Sequence, residues 1–113
     1  MSNKLRGYVP FQIGDEEYQL RLGFTQLAAA DSQLGTASIQ AAVAGRFDAI
    51  LALLTAGLAN KKNPPNIGKV LRDALDDGEL DVTYCMERIV EALKASGVFK
   101  EADEAETGET EAP

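Results

Sequence analysis

Histidine and tryptophan are absent from the 113 residues, and cysteine occurs once, at position 85. Without histidine, a Ser–His or Cys–His nucleophile pair cannot be assembled, and a zinc site loses its commonest nitrogen ligand. A lone Cys85 excludes an intramolecular disulfide framework and fits a reducing, intracellular compartment. The first residues, Met1-Ser2-Asn3-Lys4-Leu5-Arg6-Gly7, hold no apolar run, so no signal peptide is expected. The longest apolar stretch falls well short of the roughly 18 residues that would span a bilayer. Basic clusters are missing as well, which argues against nucleic acid as a partner. The expectation is a soluble, cytosolic protein without cofactor or metal.

The net charge is −7. Six acids and no base fall in residues 101–113, leaving twelve acids and eleven bases in the body, a net −1. Low apolar content and dense like charge make 101–113 an expected disordered acidic tail. At 45% hydrophobic and 26% charged, residues 1–100 are expected to form one domain able to fold without staples.

The most apolar stretch runs from Phe47 to Leu58. Phe47, Ile50, Leu51, Leu54 and Leu58 share one helical face, Asp48 complements the helix start, and Leu53 points away from the stripe. A helix apolar on more than one side needs neighbours on more than one side. Before it, residues 6–22 alternate with period two: Val9, Phe11 and Ile13, then Tyr18, Leu20 and Leu22, around a Gly14-Asp15-Glu16-Glu17 turn. That predicts a β-hairpin with one apolar face, edged at Pro10 and lying on helices.

Four further helices follow from periodicity and stop signals. Phe24, Leu27, Ala28, Asp31 and Leu34 share a face ending at Gly35. Ser38 is the expected N-cap of a short helix over 39–44, broken by Gly45. After the central helix, the 61–66 connector holds Pro64 and Pro65. Ile67, Val70, Leu71, Ala74 and Leu75 form the fourth helix, which Gly78 ends. Asp81 caps the fifth, with Val82, Cys85, Met86, Ile89 and Leu93 inward and Gly97 as its stop; Val98 and Phe99 fold back on the core. The fold class expected is α+β, mainly α: a hairpin packed on a compact bundle of about five short helices.

Chemistry-bearing motifs are sparse. Asp73, Asp76 and Asp77 resemble the start of a calcium loop, yet Leu75 and Tyr84 would occupy ligand positions three and twelve, and neither can ligate. Asp31-Ser32 before Leu34 resembles the phosphopantetheine site of acyl carrier proteins, but Gln33 intervenes and Gly35 ends the helix directly. A small acidic carrier or interaction module is therefore a remote alternative. Glu16/Glu17 and Asp76/Asp77 read as solvated turn acids. Cys85, on an inner face, reads as a buried inert thiol. Tyr8, Leu53, Val98 and Phe99 fit none of the inward stripes. They are candidate partner-binding residues, for another chain or a second copy, with Leu53 alternatively sandwiched between helices.

The hairpin with its Gly-Asp turn, then Tyr18-Gln19-Leu20-Arg21-Leu22-Gly23-Phe24-Thr25-Gln26-Leu27-Ala28 leading to Leu34-Gly35, resembles the gene-transfer-agent-like family of phage tail assembly chaperones. Also similar are Asp31 on the phenylalanine-led helix (where the family often shows glutamate), the short helix Ile39–Ala44, the Gly45-Arg46-Phe47 break, and Ala56-Gly57-Leu58. The resemblance covers residues 6–60, and residues 67–99 by helical pattern. It implies a non-enzymatic protein of the bacterial host cytoplasm that binds the tape-measure protein and helps recruit tail-tube subunits, with homo-oligomers possible. A structural, tail-tube-associated role in the particle is the alternative that it carries.

Overall fold

The computed structural model describes residues 7–98. The expected acidic tail and Phe99 lie outside the described residues. The element order is β1 (Tyr8–Ile13), β2 (Glu16–Arg21), α1 (Phe24–Leu34), α2 (Ser38–Val43), α3 (Phe47–Gly57), α4 (Ile67–Asp77) and α5 (Val82–Ser96). This is the α+β, mainly helical architecture that the periodicities imply.

β1 and β2 pair antiparallel, with Val9 opposite Leu20 and Phe11 opposite Tyr18. Val9, Phe11, Ile13, Leu20 and Leu22 are buried and Tyr18 is half-buried, so the apolar face turns inward as its period of two requires. The turn is shorter than expected. Ile13 already pairs with Glu16, leaving Gly14 and Asp15 as the two-residue loop. Gly14 has φ 59° and Asp15 is not left-handed, the pattern of a type II′ turn, whose twist matches the strands. Glu16 and Glu17 are therefore strand residues rather than turn acids.

Both edges of this small sheet are closed by side chains. On the β1 edge, the Tyr84 hydroxyl accepts from the Gln12 N–H at 2.9 Å, and Arg88 Nη1 donates to the Pro10 carbonyl at 3.3 Å. The Tyr84 ring also packs against Phe11 at 5.5 Å. On the β2 edge, Asn63 Oδ1 accepts from the Gln19 N–H at 3.2 Å, while Asn63 Nδ2 and Asn60 Nδ2 donate to the Gln19 carbonyl at 2.8 and 3.0 Å. An unpaired strand edge is a template for foreign strands, and these contacts blunt it.

α3 is the centre of the molecule, packing against α1, α2, α4, α5 and β2. Its buried residues are Ala49, Ile50, Ala52, Leu53, Leu54 and Gly57, with Leu58 buried just beyond. Leu53 has no exposed surface; it is core, not a docking residue, because helices flank α3 on the side it faces as well. The stripe read from periodicity is corrected at its start. Phe47 is 71% exposed, since it borders an open hollow rather than a packed neighbour.

The remaining helices largely follow their patterns. Ile67, Leu71 and Ala74 of α4 and Cys85, Ile89 and Ala92 of α5 are buried, whereas Val82 is 37% exposed. Asp81 caps α5 as expected, its Oδ1 accepting from the Tyr84 N–H at 2.8 Å. Asp73, Asp76 and Asp77 lie within helix α4, so they form no calcium loop. Among the described residues, no helix is long and apolar enough to cross a membrane.

Candidate docking groove

α1 and α2 are joined by Gly35-Thr36-Ala37. Ser38 does not cap α2: it is the first helical residue, after Ala37, and is fully buried. The cap comes from α1. Asp31 Oδ1 accepts from the Ser38 N–H at 2.7 Å and from the Ser38 hydroxyl at 2.5 Å. These bonds, the hydroxyl's foremost, hold the Asp31 carboxyl below its ordinary pKa, because donors stabilise the ionised form. Ser32, by contrast, is an exposed residue within α1.

Between the two helices lies a cavity of about 650 Å³ lined by Phe24, Leu27, Ala28, Asp31, Ile39 and Val98, among others. Of the face read from the α1 sequence, Phe24, Leu27, Ala28 and Asp31 line this open groove, whereas Leu34 is half-buried against the core. The side of α1 that enters the core carries Leu27 and Ala30. Phe24 is 77% exposed, and Val43 on α2 is 74% exposed. From residue 22 to residue 45 the one charged side chain is Asp31. Charge depletion together with large exposed apolar side chains is the composition of an interface core rather than of ordinary surface.

The three candidate partner-binding residues that are described, Tyr8, Leu53 and Val98, lie in different surroundings. Val98 is half-buried, packs against the core and lines the groove. Tyr8 is half-buried elsewhere: its ring lies under the Arg21 guanidinium at 5.8 Å and the Lys62 ammonium at 5.9 Å. Leu53 is interior, and Phe99 is outside the described residues. Among the described residues, Phe24, Val43 and Phe47 are the most exposed large hydrophobic side chains, followed by Val90 and Val82. The signal that could have marked Phe24 and Phe47 is their position at the first residue of a helix, where fewer neighbours overlap.

Phe47 borders a second hollow, of about 450 Å³, with Ile50, Leu75, Leu80 and Val82. Its neighbours Arg46 and Asp48 form a solvent-exposed bidentate pair at 3.1 and 2.7 Å. Cys85 is buried, and burial together with the Asp81 charge pushes its thiol up to about 12. A thiol so far from ionisation is a poor nucleophile. Among the described residues, no group of three or more His, Cys, Asp or Glu side chains is placed to hold a metal ion. Comparison with protein-family models, with curated proteins and with solved structures finds no match to this chain.

Proposed function

We propose that this chain is a tail assembly chaperone of a phage, prophage or gene-transfer agent: a non-enzymatic protein of the bacterial cytoplasm that holds the tape-measure protein and helps bring tail-tube subunits to it. The observation that carries the reading is the groove between α1 and α2, where Phe24 stands exposed in a stretch of sequence with a single charge. The resemblance of residues 6–60 to that chaperone family supports it independently. The docking surface moves from Leu53, which is core, to this face.

Fully burying one such side chain contributes roughly 1.5–3 kcal/mol. One groove therefore holds a client weakly, and tight holding requires many copies along one long chain. A helical client with repeated apolar stripes meets that requirement, as a tape-measure protein does. The acids of residues 101–113 then keep the loaded complex soluble.

Coexpression with a long helical tape-measure protein tests the proposal. The tape-measure protein is expected in the soluble fraction, bound to this chain, only when the two are made together. Equal solubility with and without this chain would refute it.

A further inference from the structure

The groove between α1 and α2 has a feature that its apolar lining does not explain. Among the described residues that line it Asp31 alone is charged, and Ser38, completely buried, pins one carboxylate oxygen with two hydrogen bonds. The groove therefore presents a fixed anion beside Phe24, Leu27, Ala28 and Ile39. At about 650 Å³ it has room for several side chains at once.

We propose that this groove binds an amphipathic helix of another chain, whose apolar stripe carries one Lys or Arg set opposite Asp31. The inference rests on the groove being the client surface. Charge complementarity selects this occupant. A second copy offering its own α1–α2 face would bring a second Asp31 against the first, and residues 22–45 hold no base to answer it. Residues 99–113 of the same chain bring six acids against one base, Lys100. A foreign helix with a cation in its stripe meets both the apolar walls and the carboxylate.

The test uses the full chain and four labelled alanine–leucine helical peptides that differ at one central stripe position: Lys, Arg, norleucine or Glu. By fluorescence anisotropy, the Lys and Arg peptides are expected to bind about tenfold more tightly than the Glu peptide. Phe24→Ser should weaken all four. Gln40→Lys, at an exposed groove position, leaves the Asp31–Ser38 bonds in place and should erase the preference without moving the melting temperature. Asp31→Asn should erase it too. Equal binding of the Lys and Glu peptides, or binding indifferent to Phe24→Ser, overturns the proposal, as does failure of all four to bind. Dimerisation of the chain alone that disappears in Phe24→Ser would make a second copy the occupant. Tighter binding after removal of residues 99–113 would make the chain's own terminus the occupant. Either result also overturns it. Because the peptides stand in for the client, failure here is separate from failure of the tail-assembly role.

Discussion

Asn63 and Gln19, 44 residues apart, are joined by a reciprocal pair of hydrogen bonds: the Asn63 side chain accepts from the Gln19 N–H at 3.2 Å and donates to the Gln19 carbonyl at 2.8 Å. The same amide nitrogen also donates to the Leu58 carbonyl at 2.9 Å. One buried side chain thus ties the hairpin edge to the end of α3. Nothing in the proline-bearing connector foretold this, because the partner is distant in sequence.

Asn63→Ala leaves the half-buried Gln19 N–H and the buried Leu58 carbonyl without these partners. It is expected to destabilise the fold by about 2–4 kcal/mol, the cost of unsatisfied buried polar groups. Urea unfolding followed by circular dichroism measures it. Asn63→Asp keeps the acceptor and loses both donors, so it should also destabilise.

Leu53→Ala is expected to cost about 2–5 kcal/mol, as for other fully enclosed leucines. Leu53→Asp should abolish cooperative unfolding, since the carboxylate would enter a site with no solvent access. A Leu53→Asp protein that melts like the parent would return this residue to the surface.

Gly57 is fixed by close approach. A Cβ there would lie 2.6 Å from Leu20 Cδ1 and 3.0 Å from the Arg21 carbonyl oxygen. The leucine tip can turn aside, but backbone cannot, so Gly57→Ala must push α3 off β2. A loss of about 1–3 kcal/mol is expected by thermal or denaturant unfolding.

Stability should depend on pH through Asp31. Its folded pKa lies below the ordinary 3.8, so the unfolded chain takes up the proton first as pH falls. The Ser38 contribution is then fully present above about pH 4 and is lost as pH drops through the folded value. Ser38→Ala removes the first cause of the shift. The stability gap between parent and Ser38→Ala should therefore narrow in acid, as read by urea midpoints from pH 6 downward. A gap that stays constant with pH would contradict this account of Asp31.

Element boundaries were largely legible in the sequence, and faces were only half legible. Gly35, Gly78 and Gly97 each stand as a left-handed C-cap, and Asp81 caps α5, because helix ends are decided by local backbone chemistry. Burial is decided by neighbours. Ala49 and Ala52 of α3, off its leucine stripe, are buried too: small side chains are what let a second helix come close. That approach encloses Leu53. At the first positions of α1 and α3, Phe24 and Phe47 border open hollows and face solvent although they share the apolar period. The Asp31–Ser38 pair was read as two separate features, a face residue and a cap, because sequence spacing does not reveal a side chain of one helix capping the next.

Phe24→Ser gives the most direct measurement of the central claim. The side chain is 77% exposed, so its loss should change stability by no more than about 0.5 kcal/mol. Soluble tape-measure protein recovered on coexpression is the readout. The account predicts a sharp fall with Phe24→Ser at an unchanged melting temperature; undiminished recovery with the folded variant would contradict it.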